Sequence, residues 1–588
     1  MSVLFQRLVH GLPERHAPAK TSFATDAKSL RQWIARLPLA NPGATARLLI
    51  GALREMNQLR IDPQQRLDAL ELLRPEVGRT VATLGKQVIG DCFPLPPQKS
   101  KLGELAQDFE HELALGYCAV VYDLCAPAGA VPFMRGKPVT LAMARALQHR
   151  GACLYQAYLR YQAPPSGAWQ NMHDVFRFAV AVKLDEKPVE DTLYGAATSV
   201  RLAYAQALLF ALSNPYRFTQ RENGEIYALT RIWAEHCGLR QGRAPEGAIA
   251  VRTDSDRSIG YLPEERQAPE AGLWAFEINA LVRFIEGHLA MLPPGATSTQ
   301  FGLRGAPVVQ THAAFVERLT RLWETRAERE QDRLPAGHML DAVIGLHDLH
   351  YVLAGNLDFD SFLRKNRGVT ISLQENEYVA AWAGPGSAQT YVKHPPAKVL
   401  DQSLRGYRLL WEKLGGLRVR VGELVGLATM AEDEEMQDWM IGAVRWLRID
   451  PTGAMETGIE LLARRATSVA VRSMSGQEPI GATLRGVLLH ALDGHSGNCA
   501  GATIMVPQLF DHELHDIELT KPGDPLGWPP QPSVETLTGI HAEEHGGGYL
   551  RIDIPSASPA GKPKSIPAAD AANDDTGTQS TVTAIGED

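Results

Sequence analysis

Asp401-Gln402-Ser403-Leu404-Arg405-Gly406 brings a carboxylate, a hydroxyl, a guanidinium and a glycine into six consecutive positions. The carboxylate accepts hydrogen bonds, the hydroxyl donates or accepts them, and glycine lets the backbone turn where a side chain would obstruct. Short Asp, Ser and Gly combinations also mark ordinary turns, so the meaning of this run depends on the elements around it.

Those elements are strands. In Leu417 to Leu427, the residues Leu417, Val419 and Val421 point one way and Arg418 and Arg420 the other, the alternation of a half-buried strand. Trp439 to Arg448 and Gly458 to Leu462 are expected to be two more. The acidic stretch Glu432 to Glu435 and the segment Asp450-Pro451-Thr452-Gly453 separate them, as loops between antiparallel strands should.

With Asp401, Ser403 and Gly406 at its head, this order of elements resembles the PilZ domain family, a small antiparallel β-barrel. The Ile441-Gly442-Ala443-Val444-Arg445-Trp446 strand and the following Gly458-Ile459-Glu460 strand carry the same resemblance. It implies a receptor for cyclic di-GMP. Asp401 would take a guanine N–H, Ser403 a base or phosphate oxygen, and Gly406 a tight turn. Arginine suits such a ligand because a guanidinium donates two parallel hydrogen bonds to guanine O6 and N7, stacks on a purine, or neutralises a phosphate.

The family's first signature, two arginines separated by three residues in the arm before the barrel, has no clear copy on this reading. Arg364-Lys365-Asn366-Arg367, with two intervening residues, is the nearest run. Arg364 and Arg367 are therefore the expected arm pair, with Val369 to Leu373 as the first strand and Arg405 and Arg408 as substitutes. Micromolar affinity is about −8 kcal/mol and one bidentate arginine–guanine contact supplies roughly 1–3 kcal/mol of discrimination, so the arginines decide whether the barrel binds.

The rest of the 588-residue chain exceeds what one core usually supports. Amphipathic helices are expected from residue 26 to about 350: Ala27 to Leu37, then helices opened by Asn41-Pro42 and Asp62-Pro63, another capped by Thr140 from Leu141 to Tyr161, and Gly195 to Leu212. They form either a solenoid-like array with a concave partner surface or an irregular helical domain, since no fixed period or matching consensus positions emerge. Tyr155, Tyr158 and Tyr161 share one helical face and are expected to pack on a neighbouring helix, hydroxyls near solvent.

The fold class is thus α+β and multidomain. It comprises an N-terminal arm (1–25), a helical domain (26–355), a PilZ-like barrel (356–475), a β-rich extension or second barrel (476–555) and a disordered tail (556–588) poor in apolar residues. Within the extension, Leu484 to Leu492, Ala502 to Val506 and Tyr549 to Ile554 read as strands.

A formal charge of −8 argues against a chain built to coat DNA or RNA. Neither a signal peptide nor an apolar run of membrane-spanning length is evident, so a cytoplasmic protein without membrane insertion is expected. Six scattered cysteines without a C-x-x-C pair suit a reducing compartment.

No nucleotide-binding glycine loop or nucleophile elbow is present, and an enzyme or a cofactor is not expected. His512 and His515, His541 and His545, and His347 and His350 have spacings that ligate metals on helices, but none completes a zinc-peptidase motif; no metal is expected. The leading expectation is an effector in which the barrel senses cyclic di-GMP and shifts the population of helix–barrel arrangements presented to an unidentified protein partner. The alternative is a structural adaptor whose degenerate barrel no longer binds nucleotide.

Overall fold

A computed structural model describes residues 2–8, 11–242, 247–262, 272–324, 333–367, 396–430, 438–490, 503–510, 516–523 and 531–554. Its first two fifths are helical: α1 (Ser2–Arg7), α2 (Ala27–Ile34), α3 (Pro42–Gln58), α4 (Pro63–Lys86), α5 (Pro97–Cys125), α6 (Gly136–Leu159), α7 (Ala168–Ala181), α8 (Val200–Leu212) and α9 (Gln220–Trp233). Asn41 and Asp62 cap α3 and α4 as their Asn-Pro and Asp-Pro pairs predict, each accepting backbone N–H bonds ahead of a proline at the first helical turn. Thr140 is no cap. It lies inside α6, where its hydroxyl donates to the Gly136 carbonyl, and the cap of α8 is Ser199, several residues after Gly195.

The helical stretch ends sooner than residue 355. Strands β1 (Gly238–Gln241), β2 (Ile249–Arg252), β3 (Gly260–Tyr261) and β4 (Leu273–Glu277) form a small antiparallel sheet, followed by α10 (Asn279–Ala290), the hairpin β5 (Ser298–Phe301) and β6 (Val309–His312), and α11 (Ala313–Glu324). Trp233, Trp274, Phe301 and Trp323 join the helical core, so this region folds onto the helices. Its strands are four or five residues long at most, too short to show alternation in sequence.

The barrel is built from β7 (Leu334–Pro335), β8 (Met339–Ile344), β9 (Ala397–Ser403), β10 (Gly406–Trp411), β11 (Leu424–Thr429), β12 (Met440–Ile449) and β13 (Met455–Ala463). Six of these strands close in the order β10-β13-β12-β11-β8-β9, with the β9–β10 hairpin completing the ring and β7 added beside β9. Val399, Leu409, Trp411, Leu427, Leu447, Met455 and Ile459 fill its interior. Two strands therefore precede the expected start at residue 356. The expected first strand, Val369 to Leu373, lies outside the described residues.

Leu417, Val419 and Val421 are buried, but they do not make a strand with Leu424. Val419 instead exchanges backbone hydrogen bonds with Phe93 of the helical region at 2.7 and 2.9 Å, and Phe93 and Tyr161 close one end of the barrel core. Tyr155, Tyr158 and Tyr161 do pack among aromatic neighbours. Tyr161 departs from the expected wet hydroxyl, donating to the buried Phe218 carbonyl at 2.8 Å.

Between β8 and β9 the chain makes α12 (Leu346–Leu353) and α13 (Phe359–Arg367). A second seven-stranded antiparallel sheet follows: β14 (Ala466–Ser475), β15 (Glu478–Leu489), β16 (Thr503–Pro507), β17 (Asp516–Lys521), β18 (Ser533–Leu537), β19 (His541–Gly546) and β20 (Tyr549–Asp553), ordered β18-β17-β14-β15-β16-β20-β19. Helix α12 is wedged between the barrel and this sheet. Leu346 and Leu349 share one core with Val343, Leu424, Trp439 and Ile441 of the barrel side and Val487, Leu489, Met505 and Tyr549 of the sheet. The expected tail, 556–588, lies outside the described residues.

Candidate functional site

Asp401 and Ser403 sit at the end of β9, Leu404 and Arg405 form the turn, and Gly406 opens β10. Ser403 faces Gly406, and Asp401 faces Arg408, across the hairpin. The glycine is required by packing: a Cβ at Gly406 would fall onto the Ile459 carbonyl oxygen of β13. That crowding lets the turn press against the barrel, where the Arg405 carbonyl accepts the Leu461 N–H at 2.9 Å. Leu404 and Arg405 are left exposed at the tip.

Asp401 gathers two guanidinium groups. Arg408 approaches it at 3.6 Å while donating to Glu456 at 2.8 Å, and its pKa is raised chiefly by that Glu456 hydrogen bond. The second group belongs to Arg333, whose Nη1 donates to Asp401 at 2.5 Å. Arg333 immediately precedes β7, and β7 pairs Leu334 with Gln402 and Pro335 with Asp401, so backbone pairing delivers this arginine to the hairpin. Across the same sheet, Arg408 opposes Gly458, and Gly458 opposes Trp446, whose indole covers the glycine. Asp401, Arg408 and Trp446 thus belong to one cross-strand row.

The expected arm pair is elsewhere. Arg364 bonds Ser361 within α13 at 3.0 Å. Arg367 donates to Thr520 at 2.6 Å and pairs with Glu518, both on β17 of the C-terminal sheet. The run Arg364-Lys365-Asn366-Arg367 belongs to a helix that docks on that sheet, and neither arginine joins Asp401. Arg405 stays exposed at the hairpin tip, while Arg408 approaches Asp401.

Another run in the sequence has the spacing of the first signature. Arg329-Glu330-Gln331-Asp332-Arg333 has two arginines separated by three residues, the spacing of the first signature, directly before the first barrel strand. It was hidden by its distance from Asp401, because the α12–α13 insertion and the following residues push the two signatures about 70 positions apart in sequence. Arg329 itself lies outside the described residues.

Arg333 beside β9, the Asp-x-Ser-x-x-Gly hairpin and a closed antiparallel barrel fit the pattern of one family. The chain carries a PilZ domain. Residues 248–395 and 381–468 match the family described as "Cyclic-di-GMP receptor FimW, middle PilZ domain", and residues 28–245 match "Cyclic-di-GMP receptor FimW, N-terminal domain". The cyclic-di-GMP receptor FimW of Pseudomonas aeruginosa is 26% identical over 542 residues, 84% of this chain and 86% of that protein. No solved structure matches.

Among the described residues no group of three or more His, Cys, Asp or Glu is arranged to hold a metal ion. His541 and His545 lie on β19 instead of a helix, His350 is buried with Nε2 against the Val469 carbonyl, and His512 and His515 lie outside the described residues. Among those residues, too, no helix is long and apolar enough to cross a membrane.

Proposed function

We propose that this protein is a cyclic di-GMP receptor whose PilZ domain binds the nucleotide between the Arg329–Arg333 arm and the Asp401-x-Ser403-x-x-Gly406 hairpin. The observation that carries the reading is the contact between Arg333 and Asp401, which joins both signatures at one edge of the barrel. Asp401 aims Arg333 and is itself an acceptor for a guanine N–H. Ser403 offers a hydroxyl at the turn, Arg408 adds a second cation, and Trp446 adds an aromatic surface in the same row. Arg405 and Arg408 thus remain candidates, whereas Arg364 and Arg367 are withdrawn.

Two connections support an effector role. Helix α11 precedes the arm in sequence, and the loop between β8 and β9 contains α12 and α13, which pack on the C-terminal sheet. A ligand that draws the arm onto the hairpin favours one arrangement of these elements by its differential affinity for it, and a protein partner reading the helical region would sense that shift. The free cysteines, five among the described residues, support placement in the reducing cytoplasm.

Isothermal titration of the full chain with cyclic di-GMP tests the proposal. Arg333→Ala and Arg329→Ala are each expected to weaken binding by about tenfold or more, the loss of one bidentate contact, while Arg367→Ala leaves affinity unchanged. Absence of heat at tens of micromolar ligand would instead favour the adaptor reading. Loss of binding in Arg367→Ala alone would move the site to α13.

A further inference from the structure

The connection between α5 and α6 is an unusual loop. Nine of its ten residues, Ala126-Pro127-Ala128-Gly129-Ala130-Val131-Pro132-Phe133-Met134, contain no polar side chain, although surface loops ordinarily do. Phe133 is 94% exposed and Met134 85% exposed. Arg135 and Lys137 follow at once, both exposed, and no Asp or Glu occurs from Ala126 to Gln170. The acids nearest on the adjoining helices are already engaged, Asp123 by Arg15 and Asp174 by Arg7.

The tip is held in shape. Gly129 is buried against the ring of Phe5, which stacks on Tyr122 at 5.0 Å, and the Arg135 N–H bonds the Pro132 carbonyl at 3.1 Å. Met134 adopts φ 61°, a left-handed conformation that non-glycine residues hold only when the surroundings fix it. Two apolar side chains are thereby kept in water, with their ordering cost already met in the fold.

From this geometry we propose that the Phe133–Met134 tip is a peripheral anchor for an anionic lipid surface. Phe133 and Met134 enter the acyl boundary, and Arg135 and Lys137 meet acidic headgroups. Size favours lipid over protein: a stable protein interface covers roughly 800 Å² per partner, whereas shallow insertion needs only an apolar tip ringed by cations. Basic charge beside apolar side chains fits a negatively charged leaflet, and no spanning helix is needed. The inference stands apart from nucleotide binding, since the tip belongs to the helical region.

The test is co-sedimentation of the full chain with vesicles of phosphatidylcholine, with and without phosphatidylglycerol. Binding is expected to the anionic vesicles and to weaken as salt is raised. The double variant Phe133→Ser/Met134→Ser should lower partitioning by about tenfold or more, and Arg135→Gln or Lys137→Gln by about fivefold each at low salt. Because these side chains point into solvent, the variants should melt at the wild-type temperature, and Phe133→Trp should blue-shift its emission on anionic vesicles. A wild-type chain that stays in the supernatant with phosphatidylglycerol vesicles overturns the proposal, even if the tip captures a soluble protein. Equal sedimentation of Phe133→Ser/Met134→Ser and wild type overturns it as well.

Discussion

Asp401 and His350 show how surroundings decide what an ionisable side chain does. Asp401 is partly exposed, and its pairing with Arg333 adds little to stability, since ion pairs at such sites are worth about 0–1 kcal/mol. Its value lies in placing a guanidinium. His350 is 1% exposed, and burial dominates its chemistry.

 Burial, with Arg485 nearby, pushes its pKa down to about 4. The folded state therefore favours the neutral ring, whose Nε2 faces the Val469 carbonyl at 3.2 Å. The stability this supplies is complete above the ordinary histidine pKa of 6.5 and is lost as pH falls from there through about 4. The full loss amounts to about 3 kcal/mol. His545, also pushed down to about 4 by burial, acts in the same sense, whereas Glu423, raised by burial, favours folding at lower pH. Thermal melts of wild type and His350→Gln between pH 7 and pH 4 should diverge, the wild type falling more steeply on acidification. Parallel curves would show that His350 carries none of the acid sensitivity. At this scale the hairpin that holds Asp401, Ser403 and Gly406 was legible because a hairpin brings together residues close in sequence. Arg333 was not, because its partner strand is supplied from far upstream.

Elements explain that difference. Alternation identified β12, β13 and β20 correctly, since each presents one face to a core over five or more residues. It misread Leu417 to Val421, which are equally alternating but bury their apolar side against Phe93 and the end of the barrel. Helix α13 was legible as a basic segment, but its arginine count says nothing about the acid it meets, Glu518. The junction between the barrel and the C-terminal sheet adds a contact with no sequence signal beyond glycine. Gly422 and Gly547 meet backbone to backbone: a Cβ on Gly547 would strike the Gly422 carbonyl, and Gly547 has φ 63°. Beside them the Tyr549 hydroxyl donates to Glu423, which also accepts from Arg420 at 2.9 Å. Gly547→Ala is expected to destabilise the protein by more than about 1 kcal/mol in urea unfolding, through both dihedral strain and this contact. Its cyclic di-GMP affinity should match wild type, since the hairpin lies on β9 and β10; a parallel loss of affinity would mean that the junction and the nucleotide site are coupled.

For the whole molecule, length and hydrophobic patterning led to an α+β chain of several parts, helices first and strands afterwards. They could not reveal that the parts share cores. Phe93 and Tyr161 of the helical region complete the barrel interior, and Val487, Leu489, Met505 and Tyr549 of the C-terminal sheet cover α12 and the barrel's outer side. A chain ended after residue 468, where the PilZ family match stops, retains Leu346, Leu349, Leu424 and Trp439 but loses their cover. Such a truncated chain is expected to bind a hydrophobic dye and to aggregate during gel filtration, while the full chain does neither. A monodisperse, dye-silent truncated chain would show that the barrel is closed without the sheet.

The shared core also sets an order of events on the ribosome. Trp439 and Ile441 leave the exit tunnel about 100 residues ahead of Tyr549, the last residue of the cluster that buries them. At synthesis rates of about 5–20 residues per second, the outer side of the nascent barrel waits roughly 5–20 s for its cover. During that interval α12, already made, is an apolar element of this cluster available to cover it, so that the insertion between β8 and β9 is in place before the sheet that completes the core.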